Sequence, residues 1–145
     1  MTRVRATPHA VYNVNYHIVW IPKYRKHILT HGVKERLTEI LHEIAERYDF
    51  DIETMDVQPD HVHIFCSAPP RYAPAQVAGI MKSVSAKKLF EEFPKIKREL
   101  RGGYLWARGY YVGTAGDKVT SDMIKRYIKY CQDQRQLSLF DQASK

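Results

Sequence analysis

Two histidines separated by a single residue, His61 and His63, stand inside the otherwise apolar run QPDHVHIF. In a strand, residues two apart share a face. His61, His63 and Phe65 therefore point one way, and Val62, Ile64 and Cys66 the other. If the apolar set meets the core, both imidazoles reach the opposite face. There they can serve as solvent-facing polar groups, as an acid/base pair, as two ligands of one metal ion, or as a ligand beside a phosphate contact. Cys66 falls on the wrong side to join them, which argues against a structural zinc centre. A second set of reactive groups lies near the end of the chain, where DMIKRYIKYCQDQ holds Tyr127 and Tyr130, with Gln132 and Gln134 just beyond. A tyrosine hydroxyl that attacks a DNA phosphate forms a phosphotyrosine and frees a 3′-OH, conserving the bond energy for rejoining, while a divalent ion polarises the phosphoryl oxygen.

The elements that must position these groups follow from hydrophobic period. VYNVNYHIVWIP (11–22) alternates, with Val14, Tyr16, Ile18 and Trp20 on one side and Asn13, Asn15 and His17 on the other, so it predicts a strand that stops at Pro22. Val33, Leu37, Ile40, Leu41, Ile44, Ala45 and Tyr48 recur at three- and four-residue spacing, an amphipathic helix. Strands at 51–59 and 61–68 join through the Pro59-Asp60 turn. A helix follows over about 75–93, and YLWARGYYVGTAG (104–116) predicts a fourth strand. The stretch 119–134 opens with a Thr/Ser/Asp cluster suited to capping a last helix. Strand, helix, strand, strand, helix, strand is an α+β order, that of the ferredoxin-like, RRM-like split βαβ plan. It predicts a four-stranded antiparallel sheet with two helices on one face and an added C-terminal helix that carries the tyrosine. The other sheet face is expected to be open or covered by a partner. The domain is expected to occupy 1–134, with a flexible tail over 135–145.

Composition narrows the partners. The 145 residues suit one domain, and no apolar run approaches the roughly 20 residues of a membrane span. Two cysteines form neither a disulfide framework nor a C-x-x-C pair, so a reducing cytoplasm is the default expectation. Lys plus Arg number 23 against 16 Asp plus Glu, and the basic clusters PKYRKH, MKSVSAKK and PKIKRELR have Tyr24, Tyr104, Trp106, Tyr110 and Tyr111 close by. Cations beside aromatic rings suit a polyanion with exposed bases. Lys23, Arg25, Lys82, Lys87 and Lys88 are the expected phosphate contacts.

NYHIVWIPKYRK, MDVQPDHVHIFCSAPPRYAP, MKSVSAKKLFEEFP, LWARGYYVGTAG and VTSDMIKRYI occur in this order over residues 11–130. Together they resemble the TnpA-type single-tyrosine HUH transposases of insertion sequences that move as single-stranded DNA. The resemblance implies that His61 and His63 hold Mg²⁺ or Mn²⁺ and that Tyr127 is the nucleophile. It further implies a homodimer in which one subunit's tyrosine helix can complete the other's site. The substrate it implies is single-stranded DNA hairpins, cut and rejoined at the element's ends without a separate energy source.

One position departs from the pattern. The resemblance calls for a glutamine four residues after the tyrosine, and Cys131 stands there, with Gln132 next. A helix turns about 100° per residue, so the fifth residue lies well past the tyrosine's face. A local helix bulge that brings Gln132 round as the third ligand is the favoured solution. Tyr130 with Gln134 has the four-residue spacing instead, and a site weakened by Cys131, a poor ligand for a hard ion, is the third. The last of these would suit a non-catalytic or domesticated single-strand binder. An RNA-recognition module lacks its paired aromatics here and leaves the histidine pair unexplained. Beyond the helix, QLSLF (Gln136 to Phe140) resembles the peptide with which bacterial replication proteins dock on the sliding clamp, with Leu137, Leu139 and Phe140 entering an apolar groove.

Overall fold

A computed structural model of the chain describes residues 4–100, 103–114 and 122–131. Its centre is a four-stranded antiparallel sheet of β3 (Asn15–Trp20), β4 (Asp51–Gln58), β5 (His61–Ser67) and β6 (Tyr111–Gly113), in the order β4-β5-β3-β6. That is the split βαβ order: β5 runs antiparallel between β4 and β3, and β3 between β5 and β6. Helices α1 (Val33–Tyr48) and α2 (Pro74–Glu92) make the crossovers.

Each helix begins where its local chemistry permits. The Gly32 N–H donates to the Glu35 carboxylate at 2.7 Å, in a glycine whose φ of +78° suits a residue without a Cβ. Pro74 opens α2 at a position where no N–H is needed, and the Gln76 side chain accepts from the Ala73 N–H at 2.7 Å. Leu37, Ile40, Leu41 and Ile44 of α1 and Val77, Met81 and Leu89 of α2 bury against Ile18, Trp20, Val62, Ile64 and Cys66 of the sheet. The alternation predicted for β5 is therefore present, its apolar set facing the helices.

Two expectations change, and one element is added. The strand expected over 11–22 is divided: Ala10–Tyr12 (β2) turns back to pair with Arg5–Thr7 (β1), and only Asn15–Trp20 joins the main sheet. The divided strand lets Arg5 reach Asp51 and Glu53 of β4, at 2.6 Å each, pinning the hairpin at one end of the sheet. Among the described residues the fourth strand shrinks to Tyr111–Gly113, and upstream of it Trp106 pairs only through an isolated antiparallel bridge to Pro22, with Leu105 and Trp106 buried. The Trp106 indole N–H donates to Ser85 Oγ and to the Lys82 carbonyl at 3.1 Å each. The basic stretch PKIKRELR contains a short helix, α3 (Pro94–Glu99), whose Ile96 is buried.

The sheet face away from α1 and α2 is not simply open. His17, Val19, Phe65 and Ser67 on that face are buried. The hairpin covers one end through Arg5, and at the β6 edge lies a helical segment, 122–131 (α4). Among the described residues no helix is long and apolar enough to cross a membrane.

Candidate active site

Strand register arranges this second face into rows. Asp56, His63, Val19 and Tyr111 stand directly opposite one another across β4, β5, β3 and β6. Thr54, Phe65, His17 and Gly113 form the next row, while Gln58 faces His61 beside the β4–β5 turn. Both histidines of the pair thus share a face with a carboxylate and a carboxamide from β4. Gln58 Nε2 donates to Asp56 Oδ1 at 2.8 Å, which leaves the carboxamide oxygen of Gln58 outside that bond.

Each imidazole has a partner at one ring nitrogen. His61 Nδ1 is 3.0 Å from Asp60 Oδ1, and Asp60 Oδ2 accepts from Arg25 Nε at 2.9 Å. Burial pushes the Asp60 carboxyl up, but the His61 and Arg25 bonds outweigh it and hold it below its ordinary range. His63 Nε2 is 3.0 Å from His17 Nδ1, and His17 in turn stacks on Phe65 with ring centres 4.3 Å apart. Burial, and then His17, lowers the His63 pKa, so the half-buried ring favours the neutral form in which imidazole binds a metal. Hard oxygen donors opposite two imidazoles suit Mg²⁺ or Mn²⁺ better than a thiolate metal. Among the described residues no three His, Cys, Asp or Glu side chains converge to hold an ion by themselves, so the two imidazoles would need further oxygen ligands.

Tyr127 sits on α4 with its ring centre 6.3 Å from that of Tyr111. Tyr111 is in the His63 row, two strand spacings or about 10 Å along the sheet. Its hydroxyl folds over Gly113, where an added Cβ would come within 2.5 Å of it. The Tyr127 hydroxyl is shielded and has no hydrogen bond of proper geometry among the described residues. Burial first, and then the neighbouring Cys131 thiol, raises its pKa above that of an ordinary phenol. Tyr130 is exposed. The glutamines expected to complete the site, Gln132 and Gln134, and the clamp-like stretch Gln136–Phe140 lie outside the described residues, as does the expected tail at 135–145.

The expected phosphate contacts divide. Lys82 is half-buried, with its ammonium donating to the Ala107 and Gly109 carbonyls at 2.8 Å each, so its cation secures the loop after α3. Arg25 pairs with Asp60 beneath the histidines. Lys88 pairs with Glu43 at 3.1 Å across α1 and α2. Lys87 is exposed on α2, and Lys23 lies over the rings of Tyr24 and Tyr104, 5.1 and 5.7 Å from their centres. Sequence reasoning missed His17 and Asp60. The signal for His17 was its place on the polar side of the first core strand, which the split βαβ order puts beside the histidine strand.

This fold and site define a class: a split βαβ domain with an imidazole pair on the sheet face away from its crossover helices and a tyrosine helix at that face's edge. Comparison with known proteins narrows the class. The family model described as IS200-like transposase matches residues 10–131. The chain is 37% identical over 123 residues to the ISDra2 transposase TnpA of Deinococcus radiodurans, covering 85% of this chain and 87% of that one. It is 31% identical over 126 residues to the transposase for insertion sequence element IS200 of Salmonella typhimurium, covering 87% and 82%. Among solved structures, a candidate transposase from Deinococcus radiodurans R1 superposes with a TM-score of 0.74 at 29% identity, over 90% of this chain and 97% of that one. A REP-associated tyrosine transposase bound to a REP hairpin shares the fold, with a TM-score of 0.52 at 12% identity over 86% and 68% of the two chains. The chain belongs to the IS200-like transposase family.

Proposed function

We propose that this transposase cleaves and rejoins single-stranded DNA at hairpin-bearing ends of its insertion sequence through a phosphotyrosine at Tyr127. The observation that carries the reading is the placement of His61 and His63 on one sheet face, with Tyr127 against Tyr111 in the same cross-strand row. In the cleavage step Tyr127 Oη attacks phosphorus and loses its proton. The bond from phosphorus to O3′ breaks, and O3′ leaves as a hydroxyl after gaining a proton. The DNA 5′ phosphate stays on the tyrosine, and attack by another 3′-OH reverses the step and restores the phenol.

His61 and His63 would hold Mg²⁺ or Mn²⁺, whose part when bound is to polarise the scissile phosphate. Tyr111 positions the tyrosine ring, and burial raises the Tyr127 pKa, so the phenol has to give up its proton as it attacks. Lys87 and Lys23 are the cations best placed for phosphates, with Lys88 able to exchange its exposed partner Glu43 for one. A homodimer and docking on a sliding clamp through Gln136–Phe140 belong to the same proposal. Cys131, in place of a glutamine four residues after Tyr127, favours a second reading, a single-strand binder that no longer cuts.

The test is a denaturing gel of the protein incubated with Mn²⁺ and a labelled hairpin oligonucleotide from its own element's end. A denaturation-resistant adduct is expected for wild type and Tyr130→Phe, and none for Tyr127→Phe or His61→Ala. An absent adduct with the cognate end would favour the binder.

A further inference from the structure

The two imidazoles are engaged at opposite ring nitrogens, His61 at Nδ1 by Asp60 and His63 at Nε2 by His17. We infer that Asp60 and His17 are positioning residues that hold His61 and His63 in opposite tautomers, so that His61 offers Nε2 and His63 offers Nδ1 to a divalent cation. The inference rests on the reading of the pair as metal ligands.

The His61 half follows from charge. Asp60 is tied at its other oxygen by the Arg25 guanidinium, and an ionised carboxylate can only accept. The proton in the 3.0 Å contact therefore sits on His61 Nδ1, and the lone pair is left on Nε2. This is the carboxylate–histidine arrangement that commonly sits behind a metal-ligating imidazole.

The His63 half follows from proton counting. A 3.0 Å approach of two ring nitrogens needs one proton between them. If His17 donated, His63 Nε2 would be occupied and Nδ1 would carry the ring's own proton, leaving no lone pair for an ion. With His63 Nε2–H donating to His17 Nδ1, the His63 Nδ1 lone pair is available. His17 can hold this role because it is 1% exposed and its ring is stacked on Phe65, so neither its position nor its plane is set by solvent. His17 comes from β3 and Asp60 from the β4–β5 turn, so the pair is held from two sides.

The experiment joins a tautomer measurement to a metal titration. Long-range ¹H–¹⁵N correlation spectra of the metal-free protein at pH 8 should show His61 protonated at Nδ1 and His63 at Nε2. Mn²⁺ titration followed by electron paramagnetic resonance should then show Asp60→Ala and His17→Phe each weakening Mn²⁺ binding about 10- to 100-fold. His17→Asn, whose carboxamide oxygen can accept near the former Nδ1, and Asp60→Asn, which keeps an acceptor, should recover most of that loss. Because His17→Phe retains a ring on Phe65, an unchanged amide spectrum for the rest of the sheet separates loss of the acceptor from misfolding. Reversed tautomers in a wild-type protein that binds Mn²⁺ would overturn the inference alone, as would Mn²⁺ affinity unmoved in both Asp60→Ala and His17→Phe. The stated tautomers in a wild-type protein that binds no Mn²⁺ would overturn the metal reading, and with it the role given to both residues.

Discussion

Arg25 separates a cation that touches DNA from one that braces the site. Its Nε donates to Asp60 Oδ2 at 2.9 Å, and its backbone is held at φ +52° beside Tyr24 at φ +61°. A left-handed conformation in a residue with a Cβ costs about 1 to 2 kcal/mol. The ion pair is about a third exposed on the arginine side and 16% on the aspartate side, so its contribution is about 1 kcal/mol after solvent screening. Arg25→Ala removes the pair and keeps the strain, and should lower stability by about 1 kcal/mol. Arg25→Gly also removes the pair but relieves the strain, and should come out within about 0.5 kcal/mol of wild type. Urea unfolding with an unchanged m-value measures both. A phosphate contact behaves differently. Its loss would lower the slope of log K against log[salt] for single-stranded DNA by about 0.7. Arg25→Ala should leave that slope unchanged and weaken Mn²⁺ binding through Asp60. A slope lowered by about 0.7, with stability unchanged in both variants, would refute the bracing role.

Other outcomes follow from the same geometry. Trp106→Phe deletes the indole N–H that reaches Ser85 and Lys82 in a buried setting, and should cost about 2 to 3 kcal/mol in urea unfolding. Burial pushes the Cys66 thiol up to about 12, so iodoacetamide at pH 8 should label the partly exposed Cys131 in the native protein. Cys66 should react only after unfolding, which peptide mass mapping reads directly. His63 and Asp60 both have folded pKa values below their ordinary 6.5 and 3.8. Each then contributes stability that is full above its unfolded value and is lost as pH falls through its folded one. The urea midpoint should therefore be flat between pH 7 and 8 and begin to fall below about 6.5, and His63→Gln should flatten the first part of that fall.

The face of the histidine pair was legible because period-2 alternation depends only on neighbours in sequence, and Val62, Ile64 and Cys66 are as buried as the pattern requires. The strand order was legible too, since it follows from the order of elements. What sequence did not disclose were contacts between distant segments. The division of the 11–22 run depends on Arg5 finding Asp51, 46 residues away, and His17 gains its meaning only when β3 settles beside β5. Leu105 and Trp106 look like strand residues in isolation, but the Trp106 indole N–H finds Ser85 and the Lys82 carbonyl on α2, a contact between distant segments. Lys82 looked like a phosphate ligand because its acceptors are loop carbonyls, invisible in any pattern of side chains. Tyr127 was singled out from Tyr130 by resemblance. Shielding of one hydroxyl and exposure of the other ring distinguish the two in the fold.

The most direct test of the central claim is to locate the covalent bond. The protein is incubated with Mn²⁺ and its cognate hairpin end, digested with protease and nuclease, and the nucleotide-bearing peptide is sequenced by tandem mass spectrometry. A 5′-linked nucleotide on Tyr127 is the predicted result. A nucleotide on Tyr130, or strand cleavage with no protein-linked nucleotide at all, would contradict the account.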